Sequence, residues 1–340
     1  MGRGNKIRVL VVDDSIVCRE VISRGISSDS IIEVVATATD PFDARDKILE
    51  YKPDVMTCDV QMPKMNGIEF IKRLLPQYQL PVIVVSDVSD AVFDAMNAGA
   101  VEFVAKPDVQ SPKGVEKFIY ELIEKIKIAV NAKVTQNKKI LVHRQRDKLG
   151  IDSHKIIAIG ASTGGTNAIF DLLKELPLDI PGIVIVQHIP PIFSKMFSER
   201  LNHAVGFSVK EASTGDYLEA GSVLIAPGDQ HMRIKKIGER YKVECFKGTK
   251  VNGHCPSVDV LFESVAKEVG KNAIGVILTG MGYDGARGLL MMKRKGARTI
   301  GQDEKSSVVY GMPKVAYSIG AVEKQTDLAS IPQLICGMLR

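Results

Sequence analysis

Five polar residues in the first third of the chain each stand at or just past the end of a short, apolar, β-branched run. Asp13 and Asp14 follow residues 7–12, Asp59 follows 54–58, Ser86 follows 80–85 and Lys106 follows 101–105. Segments with helical spacing separate these runs. That alternation predicts a parallel sheet with helices on both faces, whose strands are buried on both sides. The carboxyl ends of such strands share one edge, and ligands bind there. Three carboxylates, a hydroxyl and an amine are therefore expected to meet. Clustered carboxylates repel one another unless a cation sits among them, and an all-oxygen ligand set suits Mg²⁺. A lysine beside them can hold an incoming anion. The chemistry expected of this group is phosphoryl transfer to a carboxylate, with Mg²⁺ neutralising charge. One loop-end Asp alone would more simply be a helix cap; the combination is not explained that way.

A second set lies further on. Gly160-Ala161-Ser162-Thr163-Gly164 fits G-x-S-x-G between a strand-like run and a helical segment. A tight turn there projects the hydroxyl and aims backbone N–H groups at a developing oxyanion. A serine is a weak nucleophile without a base. His188 ends the next strand-like run, and Asp284 follows a later one, so both are candidates for the same edge. The order Ser…His…Asp is unusual, but triads are defined by geometry and not by order. A Gly-rich turn also suits a phosphate. The rival reading rests on Gly280-Met281-Gly282-Tyr283-Asp284-Gly285, which fits G-x-G-x-x-G, with Asp303 about 20 residues on, as in a dinucleotide site. It places the Asp284 carboxylate where a pyrophosphate would lie and leaves Ser162 and His188 without a role. His143, His154, His203, His231 and His254 lack metal-ligand spacing and are expected to have surface roles.

The elements that must position these residues are readable from periodicity. Helices are predicted at 16–26, 41–51, 67–75, 88–97 and 115–130, between strands at 7–12, 31–38, 54–58, 80–85 and 101–105. Residues 129–152 are polar and basic without apolar period, and read as a linker. Beyond it, strands are predicted at 155–159, 182–187 and 273–278, with helices at 166–174, 192–201 and 257–269 and Ser257 as N-cap. Residues 207–246 read as short strands and turns, and 286–293, 299–300 and 313–318 complete the pattern. The expected organisation is a domain at 1–128, the linker at 129–152 and a second domain at 153–340.

Composition agrees. The 340 residues, 45% hydrophobic and 25% charged, suit two globular domains and exclude a disordered, collagenous or coiled-coil chain. Five cysteines without a C-x-x-C pair suggest a reduced, cytoplasmic protein with no zinc site. No signal peptide or bilayer-length apolar run is visible. The net charge of +5 is mild and Trp is absent, so nucleic-acid binding is not expected.

V-V-D-D-S at 11–15, D-V-Q-M-P-K-M-N-G-I-E-F at 59–70, Ser86 and F-V-A-K-P at 103–107 closely resemble response-regulator receiver domains. The resemblance implies a flavodoxin-like fold with Asp59 as phosphoacceptor. Asp13, Asp14 and Asp59 would hold Mg²⁺, Ser86 and Lys106 would contact the phosphoryl group, and Phe103 would be the aromatic switch. I-G-A-S-T-G-G-T at 159–166, V-Q-H-I-P-P-I-F-S at 186–194, I-A-P-G-D-Q-H at 225–231, P-S-V-D-V-L-F at 256–262 and G-V-I-L-T-G-M-G-Y-D-G at 275–285 resemble the catalytic domain of chemotaxis protein-glutamate methylesterases. That resemblance implies a Rossmann-like second domain, so that the fold class is α/β with two doubly wound parallel-sheet domains. It implies Ser162 as nucleophile, His188 as base and Asp284 as orienter, with Thr163 and Met281 near the oxyanion or substrate. The implied activity is phosphorylation-activated hydrolysis of glutamate methyl esters, and deamidation of certain glutamines, on methyl-accepting chemoreceptors. The esterase step would need no cofactor. The implied partners are the receptors and a chemotaxis histidine kinase, without nucleic acid or membrane insertion, for a cytoplasmic monomer. Cys255 stands where the family usually carries Arg. A transcriptional regulator would instead need a helix-turn-helix after the linker, and the Gly-rich strand ends there argue against one.

Overall fold

The structure is a computed structural model that describes residues 6–87, 91–107, 111–133 and 155–340. The chain divides into two compact units, Met1–Lys138 and Lys139–Arg340. Most of the predicted linker, together with His143 and His154, lies outside the described residues.

In the first unit five strands, β1 (Ile7–Val12), β2 (Ile32–Ala38), β3 (Val55–Cys58), β4 (Val82–Ser86) and β5 (Glu102–Ala105), alternate with five helices, α1 (Ile16–Ile26), α2 (Pro41–Tyr51), α3 (Gly67–Leu74), α4 (Ala91–Asn97) and α5 (Pro112–Ala129). The strands are parallel in the order β2-β1-β3-β4-β5. The chain leaves β1 to one side for β2 and returns to its other side for β3. That reversal opens a crevice at the carboxyl ends of β1 and β3, where Asp13 and Asp59 stand. Val9, Leu10 and Val11 are fully buried, as strands covered on both faces must be. The helix starts are set by caps. The Ser15, Asp40, Asn66 and Ser111 side chains each accept backbone N–H groups of the following first turn. Ser111 followed by Pro112 starts α5 three residues before the predicted 115, because Pro at N1 is preorganised for a helix. β4 starts at Val82 and not at 80, since Pro81 has no N–H for the ladder.

In the second unit β6 (Ile156–Ala161), α6 (Gly165–Glu175), β7 (Ile183–Gln187) and α7 (Pro191–Ala204) are followed by β8 (Ser208–Glu211) and β9 (Ser222–Ile225). A hairpin of β10 (His231–Ile237) and β11 (Arg240–Phe246) comes next, then α8 (Val258–Glu268), β12 (Ala273–Ile277), α9 (Ala286–Arg294), β13 (Arg298–Gln302), α10 (Met312–Ser318), β14 (Lys324–Thr326) and α11 (Ile331–Leu339). Seven strands form a parallel sheet in the order β14-β13-β12-β6-β7-β9-β8, and the hairpin is a separate antiparallel pair. The chain departs from β6 to β7 on one side and comes back to β12 on the other. The crevice therefore opens at the ends of β6 and β12. Met232, Ile234 and Val243 of the hairpin join Leu261, Phe262 and Val265 of α8 in the core. Phe262 is fully buried, and its removal would cost about 3–5 kcal/mol.

Candidate active site and candidate cation site

β6 delivers Ser162 at the crevice, where the chain turns at once into α6. The Gly165 N–H donates to Ser162 O at 2.7 Å, and the Ser162 N–H donates to Thr279 O at 3.0 Å. Gly164, at the N-cap position of α6, has φ 76°, and a Cβ there would meet Val308 Cβ at 2.6 Å. Only glycine fits both the backbone and the space. A Cβ on Gly280 would likewise meet Ser162 Cβ at 2.6 Å, so the loop after β12 lies directly against the serine. β7, the neighbour of β6, delivers His188, whose N–H donates to Ala161 O at 3.2 Å. Gln187 ties the two strand ends together, donating from Nε2 to Ser162 O at 2.9 Å and to His188 O at 3.3 Å. Thr163 is buried, and Met281 on the facing loop is 46% exposed.

His188 Nε2 lies 2.9 Å from Asp284 Oδ2. The carboxylate is buried and collects donors. Oδ1 accepts from Ser257 Oγ at 2.7 Å, Asn252 Nδ2 at 2.8 Å and Asp259 N at 3.3 Å, and Oδ2 accepts from Val258 N at 2.7 Å. Two of these donors are backbone N–H groups of the first turn of α8, where the helix dipole favours negative charge. Burial alone would push the Asp284 carboxyl up. The hydrogen bond and charge of His188, then Asn252 and Ser257, outweigh it and hold the group well below the usual carboxylate range. An ionised Asp284 only accepts, so Nε2 carries the proton of neutral His188. Nδ1 is then the basic nitrogen, and it is buried without a hydrogen-bond partner among the described residues. The sheet edge thus brings together a hydroxyl, an imidazole with a free lone pair and a fixed anion.

Several residues of this site differ from expectation or were not foreseen. Ser257 occupies the N-cap position of α8 but does not cap it, because its hydroxyl goes to Asp284. His231 is buried, and His254 is half-buried rather than free on the surface: its ring stacks on His188 at 3.6 Å between centroids and 9° between planes. His203 is exposed, as expected. Asn252, Gln187 and Asp259 complete the candidate site without having been singled out, and His254 joins it against the surface role expected of it. The dinucleotide reading of the Gly280–Gly285 loop is not favoured. The Asp284 carboxylate is consumed inside the protein, and Asp303 accepts from Ser306 N and Oγ at 2.9 and 2.7 Å within its own turn.

In the first unit Asp13 and Asp59 are buried and Asp14 is exposed, and their carboxylate oxygens lie within 4.8 Å of one another. Lys106 Nζ is 2.6 Å from Asp59 Oδ2 and 2.9 Å from Asp13 Oδ2. Asp13 Oδ2 has that ion pair but no hydrogen-bond partner among the described residues. Three carboxylates against one ammonium carry an excess of two negative charges, and the donors are all hard oxygens. The set fits a divalent cation of the Mg²⁺ type. Burial pushes the Asp59 carboxyl up against the pull of Lys106. For Lys106, burial would lower the pKa, but Asp59 and Asp13 overcome it and raise it. Ser86 is buried, and its carbonyl accepts the Lys106 N–H at 2.9 Å. Phe103 is buried with Lys125 Nζ 5.0 Å from its ring centroid.

Residues 157–335 match the family model for the CheB methylesterase, and residues 9–113 match that of the response regulator receiver domain. A protein-glutamate methylesterase/protein-glutamine glutaminase 2 of Syntrophomonas wolfei is 56% identical over 333 residues, covering 98% of each chain. A protein of the same activity name from Salmonella typhimurium is 45% identical, covering 97% of this chain and 96% of its own. The crystal structure of the Thermotoga maritima CheB methylesterase catalytic domain is similar with a TM-score of 0.53 and 36% identity, over 54% of this chain and 98% of that one. This chain belongs to the CheB methylesterase family, with a response regulator receiver domain preceding its methylesterase domain.

Proposed function

We propose that this chain is a receiver-regulated protein-glutamate methylesterase with protein-glutamine glutaminase activity, acting on chemoreceptors. The observation that carries the reading is the His188–Asp284 pair, which presents an unpartnered Nδ1 at the edge where Ser162 stands. In this reading Ser162 Oγ attacks the γ-carbonyl carbon of a methylated glutamate while His188 Nδ1 takes its proton. Asp284 stabilises the imidazolium that results. The tetrahedral oxyanion is met by backbone N–H groups of the Thr163 and Met281 segments, since the Ser162 N–H is already bound to Thr279 O. Collapse passes the proton from His188 to the departing methoxide. Methanol leaves, and an acyl-Ser162 ester remains. Water, deprotonated by His188, attacks that ester and releases the glutamate. A glutamine amide follows the same route with ammonia as leaving group. The reading needs only the side chains at this edge, the substrate and water, and no cofactor takes part in it.

In the receiver, Asp59 is the proposed acceptor of a phosphoryl group from a histidine kinase. Asp13, Asp14 and Asp59 would hold Mg²⁺, which neutralises charge on the incoming group when bound. Ser86 and Lys106 would contact the phosphoryl oxygens, and Phe103 would repack as the charge at Asp59 changes. The functional boundaries are taken at 1–128 and 153–340, for a monomer working in the cytoplasm. Among the described residues no helix is long and apolar enough to cross a membrane. The test is methanol release from methyl-esterified receptor. Ser162→Ala should lose nearly all of it, and near-normal release would defeat the assignment.

A further inference from the structure

The turn between β11 and α8 touches both members of the His–Asp pair. Val251 and His254 close it with reciprocal backbone hydrogen bonds, each 3.0 Å. At its tip Asn252 has φ 53° and Gly253 φ 84°, the positive pair that an Asn-Gly tip adopts readily. Asn252 Nδ2 donates to Asp284 Oδ1 at 2.8 Å and to Asp259 Oδ2 at 2.7 Å. Two residues on, the His254 ring lies flat on His188, 3.6 Å away and tilted by 9°. One turn of four residues therefore meets the orienting carboxylate with its second member and the imidazole with its fourth.

We propose that the Val251–His254 turn is a positioning device for the esterase: Asn252 fixes the carboxylate of Asp284, and His254 fixes the ring plane of His188 so that Nδ1 stays directed at Ser162. The inference rests on the nucleophile and base assigned above. Its physical basis is the mounting of the base. Among the described residues the one hydrogen bond to the His188 side chain is that from Nε2 to Asp284, and a ring tied through Cγ and Nε2 can still swing about the line joining them. A flat neighbour in van der Waals contact blocks the swing. An aliphatic side chain of similar volume would fill the space without imposing a plane. His254 suits the task because it stays uncharged. Burial, then the neighbouring His188, push its pKa down to about 4, so at neutral pH it repels no proton from His188. When His188 takes the serine proton, the neutral ring offers its π face to the new cation. Placement errors of an ångström in a base cost about 10²-fold in rate.

The experiment measures methanol release by the full-length protein from methyl-esterified receptor, with kcat and KM separated and thermal melting recorded. His254→Leu should lower kcat about 10–100-fold with KM held within about twofold. His254→Phe restores a flat ring and should recover most of the lost kcat. A structural role alone would move the melting temperature of both variants and spare kcat. Wild-type kcat in His254→Leu overturns the inference, as does an equal loss in Leu and Phe variants that both melt normally. Should neither His254 variant fold, Asn252→Ala decides: a kcat loss of about 10-fold at unchanged KM upholds the inference, and wild-type kcat overturns it. Ser162→Ala is run beside them. If it is inactive while His254→Leu is normal, only the positioning role is lost. If it retains activity, the underlying assignment of the nucleophile fails, and the turn's role falls with it.

Discussion

His188 meets Asp284 through Nε2, at 2.9 Å, and so Nδ1 is the nitrogen that the proposed mechanism uses as a base. The pairing is fixed from the carboxylate side. Asp284 already accepts from Ser257, Asn252 and the first turn of α8, so it cannot rotate to follow a moving imidazole.

Asp284→Asn tests that relationship most directly. An amide placed there can turn its NH₂ towards Nε2, which forces the proton onto Nδ1 and removes the lone pair that the proposed mechanism gives to Ser162. The expected loss in kcat is about 10²–10⁴-fold with little change in KM; the same NH₂ faces the Val258 N–H, so a stability loss of about 1–3 kcal/mol accompanies it. Measured kcat within about twofold of wild type would mean that Nδ1 is not the working base.

Ser257→Ala should have a smaller effect on the same group. It removes one of several donors and leaves the Val258 N–H and Asn252 in place. Weakened support for a buried carboxylate costs about 1–3 kcal/mol of stability. Urea unfolding near neutral pH checks the magnitude, and kcat should fall less than in Asp284→Asn.

The stability of the second unit should depend on pH through His254. Its pKa is lowered in the fold to about 4 from 6.5, by burial first and then by His188. The unfolded chain therefore binds more protons than the native one between these values, and stability rises with pH across that window. The contribution is fully present above about pH 6.5 and is lost as pH falls through about 4. Its ceiling is about 3 kcal/mol. Replacement by Phe removes the titrating group, so a His254→Phe variant should show a flatter urea-unfolding profile from pH 7 down to about 5. An unchanged slope would assign the dependence to other groups.

Much of this arrangement was legible because it sits on strand ends. Asp13, Asp59, Ser162 and His188 each terminate a run whose burial on both faces leaves an unbroken apolar signature, and parallel strands put such ends on one edge. Asn252 and His254 were not legible in that way. Asn-Gly marks a turn in the sequence, but nothing local says that Asn252 reaches Asp284, 32 residues along the chain, or that His254 stacks on His188. Ser257 looked like a cap because its type and place are those of one; the carboxylate that claims its hydroxyl comes from another loop. β14, three residues at the sheet edge with two of them exposed, has no apolar pattern from which to read a strand.

The two units should differ in their dependence on metal. The Asp13–Asp14–Asp59 cluster has the charge and donors for a divalent cation, whereas the Ser162 edge works by nucleophilic attack and proton transfer without a metal in the proposed reading. Chelation by EDTA should therefore abolish phosphorylation of Asp59 by a small-molecule phosphodonor. In the same preparation, without phosphodonor, basal methanol release should stay within about twofold of the untreated rate. Asp59→Asn should leave the basal rate in place and remove its response to phosphodonor, since the amide cannot accept a phosphoryl group. Couplings between sites of this kind are typically about 1–3 kcal/mol, or about 5–150-fold in activity, and that is the size of the response expected to vanish. Loss of basal activity on chelation would place a metal requirement in the methylesterase domain, and a retained phosphodonor response in Asp59→Asn would move the phosphoacceptor elsewhere.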